Sequence, residues 1–493
     1  MLGSTYKVYP SETIIARTIK LSICDAYSPK AWVTQVHFWP LADPDKFQRA
    51  YDILKLGLGR TLTEIPALAG TICQLSDDPR DLGIHIDHDP YVEFAFKDLS
   101  DSNHIPKYAD LKANGFPLAG LVEPLSQPAM LSPVHEGSRM ITAQLSRLDG
   151  GLALSFGVNH VLADATSLAE IERVWSLHTA DVSNHVTSTH RPEMDEMASR
   201  TRLSSPVCKT ARFSDEHWKV FPTGRSQLNL PREATTKEAV LTLLDDAKRA
   251  MQASCGGDAE EIKMCLWSFS SSSLAKLKSV AAGCDASQWI STMDALVGLF
   301  WSRLAVVKQK STNEAESVLL FPMNIRQRLH PSIDAHYIGN AVDIITTSCP
   351  LLALKADSGL VTAARQIRRA NTGWQETKWA SWLAMASDLP NDQAIVPNPL
   401  CLLATHNMAF NDYSKSLSNV LDWGIELGVI DRTRYTNLEP ASNFANCATA
   451  VFVNPRLTDG SLEVVMTATE HLNGMLAADE VFSKYGRFVT VWS

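Results

Sequence analysis

The chain has 493 residues, 45% of them hydrophobic, 20% charged and 8% aromatic, with a formal net charge of -9. The length suits two or three domains, and the composition is that of a globular protein, which excludes a disordered chain. The acidic balance argues against a nucleic-acid or anionic-membrane partner, since both require clustered Lys and Arg.

Beginning at the N-terminus, MLGSTYKVYPSETIIARTIK lacks the uninterrupted apolar run of a secretory signal. No later window approaches the roughly 20 apolar residues that span a bilayer. The nine cysteines are scattered without a CxxC pair, so neither a disulfide framework nor a cysteine zinc site is expected, and a reducing compartment fits. The final FVTVWS carries no peroxisomal or ER-retention address. These features predict a cytoplasmic protein.

Residues 1–180 alternate strand-like and helix-like patterns. A stretch rich in Ser, Thr, Pro, His and charge follows, and the globular pattern resumes near Glu233. The expected division is a first domain over 1–205, a connector over 206–232 and a second domain over 233–493. Within the second, DDAKRAMQASCGGDAEE reads as an exposed helix and loop.

The most legible segment is RMITAQLSRLDGGLALSFGVNHVLADATSLAEIERVWSLH. Asp149-Gly150-Gly151 is a hairpin turn between two strand-like runs. Leu152, Leu154, Phe156, Val158 and His160 fall on one face at period two, so His160 ends an apolar, inward row. Ser167 and Glu170 match a capping box, with Leu168, Ile171, Val174 and Trp175 at helical spacing behind them. The prediction is a strand ending at His160, a loop holding Asp164, and a helix.

His-x-x-x-Asp spacing occurs three times, at His85/Asp89, His160/Asp164 and His330/Asp334. His85 lies in a carboxylate-rich, solvated stretch, and His330 is followed at once by Pro331. Only His160 extends an apolar row. A neutral imidazole with an ordinary pKa of about 6.5 can take the proton of a hydroxyl that is otherwise a weak nucleophile. Asp164 could orient that ring or brace its loop. His85-x-x-His88 has no further ligands to complete a metal site, so no metal is expected. Trp175 and Trp301 lie on helical apolar stripes and read as core. No GxGxxG, Walker, G-x-S-x-G or H-E-x-x-H motif is present.

LDGGLALSFGVNHVLADATSL resembles the His-x-x-x-Asp-Gly signature of the plant and fungal BAHD acyltransferases. The resemblance continues in order along nearly the whole chain. LSICDAY resembles that family's first strand, and GRTLTEIPALAGTICQ its Pro-x-x-Ala-Gly helix and turn. WISTMDALVGLFWSRL resembles its Ser-Thr-x-Asp-Ala-Leu helix. FPMNIRQRLHPSIDAHYIGNAV resembles its Asn-x-Arg to Tyr-x-Gly-Asn segment, and NVLDWGIELG its Asp-Phe-Gly-Trp-Gly motif in degenerate form. Two departures stand out: Ala165 replaces the signature Gly, and the second motif keeps Asp422 and Gly424 but loses its second Trp-Gly. The looser motifs and the length are similar to the fungal branch that decorates secondary metabolites.

The resemblance implies an α/β fold of two chloramphenicol-acetyltransferase-like domains, mixed sheet plus helices, with a channel between them. His160 would stand mid-channel as general base, with acyl-CoA (acetyl-CoA favoured) entering from one face and a small hydrophobic acceptor from the other. Asp164 would pair with an arginine, Arg326 or Arg328, the former favoured. Asp422 and Gly424 would be structural, Ser291 and Thr292 close to the coenzyme, and Thr405, His406 and Asn407 on the acceptor side. Tyr337 and Asn340 read equally as a coenzyme-contacting loop or a tight turn. The family suggests a monomer. The alternatives are an N-acyltransferase or condensation-type amide-forming enzyme, in which a second His usually stands where Asn159 is, and a non-catalytic ligand-binding relative.

Overall fold

A computed structural model describes residues 3–41, 43–78, 80–125, 134–192, 194–205, 218–222, 262–283, 288–308, 315–390, 393–397, 406–435 and 449–492. Nearly all of the expected 206–232 connector, the 245–261 polar stretch and Thr405 lie outside the described residues.

Two mixed sheets organise these residues. The first has six strands in the order Gly3–Val8, Val92–Asp98, Ile141–Leu148, Gly151–Asn159, Trp32–Pro40 and Arg432–Tyr435. Its last strand comes from the far end of the chain, pairing antiparallel with Trp32–Pro40 in the register Tyr435 to Gln35 and Thr433 to His37. The second has seven strands in the order Val342–Pro350, Glu316–Asn324, Met408–Asp412, Thr449–Val453, Leu462–Thr469, Ile262–Phe269 and Arg487–Val491. Each carries parallel and antiparallel pairs, Val92–Asp98 with Ile141–Leu148 being parallel and Glu316–Asn324 with Val342–Pro350 antiparallel.

The Asp149-Gly150-Gly151 turn joins the two strands of a hairpin, as the sequence indicates. Gly150 takes φ +85°, a left-handed conformation that favours glycine. A Cβ at Gly151 would stand 1.9 Å from the Tyr108 ring. Phe156 faces the helix Ala165–Ser183, where its ring meets Trp175 edge-on at 5.4 Å. Trp175 and Trp301 are buried core residues, as expected.

Two local expectations need correction. The capping box expected at Ser167 does not form. The helix begins at Ala165, with Asp164 as its N-cap accepting from the Ser167 amide at 2.9 Å. The pattern misled because Asp164 is itself a preferred capping residue three positions earlier. The expected strand around Leu21–Tyr27 is instead the single helical turn Ile23–Ala26, capped by a Ser22/Asp25 box.

Candidate active site

His160 leaves the end of its strand in a turn. Its backbone N–H donates to the Ala31 carbonyl at 2.9 Å, and its ring is half-buried. Burial pushes the imidazole below its ordinary pKa, and the positive charge of Lys30 adds to this. The ring's hydrogen bonds to its own carbonyl and to Asn340, with the charge of Asp164, oppose the shift. The ring is therefore neutral near pH 7, the form a proton acceptor requires.

The ring's Nδ1 stands 3.2 Å from Asn340 Oδ1. The Asn340 amide nitrogen donates to the His160 carbonyl at 2.8 Å and to Asp25 Oδ1 at 3.0 Å. Both of those atoms can only accept, so the carboxamide has one sensible orientation. Its oxygen then faces Nδ1, which must carry the hydrogen. Nε2 is left with the free lone pair.

Asp164 does not touch the ring through any hydrogen bond found among the described residues. Its carboxylate receives Arg326 Nη1 at 2.7 Å, Arg326 Nη2 at 3.1 Å, and the amides of Ser167 and Ala341 at 2.9 and 3.0 Å. Burial alone raises its pKa, but the Arg326 charge and hydrogen bonds and the two amides outweigh this and hold it below the usual carboxylate range. Arg326 is 1% exposed and also donates to Ser167 Oγ and the Gly339 carbonyl, at 2.9 and 2.8 Å. Ser167 in turn donates to Gly339 O at 2.8 Å. Asp164 thus joins the start of the helix to the Ile338–Ala341 segment of the second half, the segment that presents Asn340 to His160. Arg328 is elsewhere occupied, donating to the Asn371 carbonyl at 2.7 Å.

The remaining expected residues divide. Asn340 is at the site, but its polar atoms are spent on His160 and Asp25. Tyr337 is fully buried, its ring beside the guanidinium groups of Arg200 and Arg326 at 5.5 and 5.7 Å, so its side chain offers no surface to a coenzyme. Ser291 caps the helix Thr292–Val307 in a box with Asp294. Ser291 and Thr292 are half-exposed, next to Trp289, whose ring is flanked by Arg368 and Lys278 at 4.4 and 5.2 Å.

His406 and Asn407 are not brought to His160. The His406 carbonyl accepts from Ser317 Oγ, and Asn407 Oδ1 accepts from the Val318 amide at 2.8 Å. Both contacts lie at the start of the strand Glu316–Asn324, whose other end leads to Arg326. That separates them by roughly 20 to 25 Å at about 3.3 Å per residue. Asp422 and Gly424 are also remote, packed at the far end of the helix Ala165–Ser183. Gly424 has φ +95°, and a Cβ there would stand 2.8 Å from Ala180 Cα.

His178, Asp181 and His190 gather near that same helix end. His190 lies 2.9 Å from Asp181, and His178 lies 3.2 Å from Glu64. The His190 ring is bonded to Asp181, whereas the two His178 ring nitrogens are buried without a hydrogen-bond partner among the described residues.

Sequence reasoning missed Asp25 and Arg200, and it named Ser167 only as a helix cap, not as a partner of Arg326 and Gly339. Asp25 lies in the LSICDAY segment already singled out, but its partner Asn340 is 315 residues away, and local pattern does not reveal such pairs.

Residues 2–378 match the model of the Transferase family. The chain is 38% identical over 493 residues to "Acyltransferase clz6" of Cochliobolus lunatus, covering 99% of each. It is 36% identical to "Acyltransferase M4" of a Phoma species, covering 98% of each. The chain belongs to the BAHD acyltransferase family. Among solved structures it matches F. sporotrichioides TRI101 complexed with Coenzyme A and T-2, with a TM-score of 0.74 at 17% identity over 96% of this chain and 100% of that one. It also matches vinorine synthase, with a TM-score of 0.63 at 16% identity over 99% and 98%. These likenesses carry the expected two-domain α/β fold. The chain is therefore an acyltransferase by family, and none of the described helices is long and apolar enough to cross a membrane.

Proposed function

We propose that this acyltransferase moves an acyl group, acetyl by preference, from coenzyme A to a hydroxyl of a small hydrophobic secondary metabolite. His160 Nε2 is the general base. The observation that carries this reading is the half-buried, neutral ring held with Nδ1–H toward Asn340 and with no hydrogen bond at Nε2 among the described residues. Nε2 takes the acceptor's O–H proton as that oxygen attacks the thioester carbonyl. The tetrahedral oxyanion collapses with cleavage of the C–S bond, and the leaving thiolate recovers the proton from Nε2–H. A base so placed contributes about 10² to 10⁴ in rate.

Asp164 acts from behind by holding the loop that aims the ring. On the donor side, the half-exposed Ser291 and Thr292 lie beside Trp289 and Lys278, a flat ring and a cation of the kind a phosphorylated adenine nucleotide needs, while the neighbouring Arg368 is paired with Asp294. The condensation-type alternative is weakened because Asn159, where a second His would stand, is buried with its Oδ1 accepting the Val161 amide at 3.1 Å. We also infer that the division near residue 205 separates the two acyltransferase halves, and that the enzyme works as a cytoplasmic monomer.

The test is turnover of a panel of acyl-CoA donors with fungal metabolite extract, read as acyl mass shifts and as free thiol released. The wild-type chain should acylate an alcohol, and His160→Ala should lose at least about a hundredfold in kcat. Undiminished turnover by a folded H160A protein would remove His160 from the chemistry.

A further inference from the structure

We propose that His178, Asp181 and His190, with Glu64 beside them, form a binding site for one zinc-type divalent cation. The site lies apart from the acyl-transfer centre and adds a structural metal to the fold.

His178 and Asp181 stand three residues apart near the end of the helix Ala165–Ser183, so both project from one face. The chain then turns back and brings His190 to them. One ligand atom from each of the three lies within 4.8 Å of the others. The His178 and His190 rings meet edge-on, with centroids 4.7 Å apart. The returning loop is held in place by its backbone. The Val186 amide donates to the Asp181 carbonyl at 2.9 Å, and Arg173 Nη2 donates to the His190 carbonyl at 2.8 Å. Glu64, the last residue of the helix Phe47–Glu64, accepts the His190 amide at 2.9 Å and the Arg191 amide at 3.0 Å.

His178 is the residue that asks for an ion. It is 2% exposed, and neither ring nitrogen has a hydrogen-bond partner among the described residues. Glu64 Oε1 lies 3.2 Å from Nε2, but without hydrogen-bond geometry. A buried polar nitrogen left unpaired is costly, and a cation bound there removes that cost. The expectation of no metal rested on His85 and His88. His190 lies instead in the stretch rich in Ser, Thr, Pro and His, where no period marks it.

The donor set selects the ion. It holds no thiolate, which disfavours copper(I), and its imidazoles disfavour magnesium and calcium, which take oxygen. Zinc accepts imidazole nitrogen and carboxylate oxygen at about 2.0 to 2.2 Å in a tetrahedral set, which spaces the ligand atoms about 3.3 to 3.6 Å apart. His190 Nε2 and Asp181 Oδ2, 2.9 Å apart, are already near that spacing. Coordination requires His190 to carry its hydrogen on Nδ1, leaving Nε2 to the ion. Two carboxylates facing two neutral imidazoles balance a divalent charge. His178 is fourteen residues beyond Asp164, roughly 21 Å along the helix. The ion therefore braces the helix end and the returning loop and takes no part in acyl transfer.

The test uses the full chain, stripped with EDTA and titrated with zinc against a chromogenic chelator. Wild type should bind one zinc per chain, and zinc at a hundredfold excess over Kd should raise Tm by about 2 to 3 °C. Magnesium should do neither. His190→Ala and Asp181→Asn should each weaken zinc binding at least about a hundredfold and remove the shift in Tm. Asp181→Asn keeps the side chain's volume, so it supplies the readout should His190→Ala not fold. X-ray absorption of the bound zinc separates this site from the nine cysteines. It should show nitrogen and oxygen ligands at about 2.0 to 2.2 Å and no sulfur at about 2.3 Å. A sulfur shell, zinc affinity unchanged in both variants, or zinc bound no tighter than magnesium would overturn the proposal. None of these readings involves a substrate, so they stand apart from the assignment of His160.

Discussion

Asp164 and Arg326 are 2% and 1% exposed, so neither charge can turn to water for solvation. A buried pair is costly to form, yet breaking it is worse, because one charge is left stranded. Asp164→Asn should therefore destabilise the fold by about 3 to 5 kcal/mol in urea unfolding. The double variant Asp164→Asn with Arg326→Met should cost less than the two single changes added together, and strict additivity would show that the contact does not couple the residues. The pH dependence has a definite sign. Asp164 has its pKa depressed in the folded state, so its contribution is complete above the unfolded value of about 3.9 and is lost as pH falls through the lower folded value. His160 is depressed as well, so the free base persists to lower pH than an ordinary imidazole allows. The acidic limb of kcat/KM should fall below about pH 6.5, and a limb centred above that value would contradict the neutral, buried ring.

One helix, Ala165–Ser183, links the two motifs of the family. Its first turn is capped by Asp164 at the site, and its last turn receives Gly424 against Ala180 and Ser183. Gly424→Ala combines a left-handed backbone at φ +95° with a Cβ 2.8 Å from Ala180 Cα. It should lower stability by about 3 kcal/mol while leaving KM near wild type in the surviving folded enzyme. A thermal melt unchanged by the substitution would mean that the loop has another seat. Midway along the helix, buried Glu172 accepts from Ser418 Oγ at 2.6 Å and Gln35 at 3.1 Å, with His37 Nε2 at 3.2 Å. Burial lifts Glu172 to about 7 and pushes His37 down to about 3. We therefore take the His37–Glu172 contact as one between a neutral imidazole and a carboxyl that is partly protonated, not as an ion pair. A raised carboxyl stabilises below its unfolded pKa of about 4.3 and loses that contribution as pH rises through 7. Glu172→Gln should accordingly flatten the decline in stability between about pH 5 and 8. The strand, turn and helix around His160 were legible because period two, a Gly-Gly turn and period 3.6 are local signals. The cap position was not, because Asp164 and Ser167 both suit an N-cap and only the distant Arg326 and Ala341 settle which residue takes it.

At the scale of the whole chain, the first sheet closes only with a strand from the second half. Arg432–Tyr435 pairs along Trp32–Pro40, Thr433 Oγ1 lies 3.0 Å from His37 Nδ1, and Tyr108 donates to Asp431 at 2.7 Å. Trp423, fully buried, meets Trp39 and Trp175 at 5.5 and 5.8 Å. The sequence reading placed a division near residue 205 from composition and could not anticipate this exchange, since pairing across some 400 residues leaves no periodic trace. The site has the same character, with His160 and Asp164 from the first half meeting Asn340 and Arg326 from the second. Residues 1–205 expressed alone would expose the edge of Trp32–Pro40, with Val36, Phe38 and Trp39 stripped of cover that makes them fully buried in the whole chain. Such an edge is a template for aggregation. The isolated first half should be insoluble or oligomeric and inactive, and co-expression with residues 206–493 should restore a soluble complex and acyl transfer. A monomeric 1–205 fragment that melts in one cooperative step would show that the borrowed strand is dispensable to the fold of the first half.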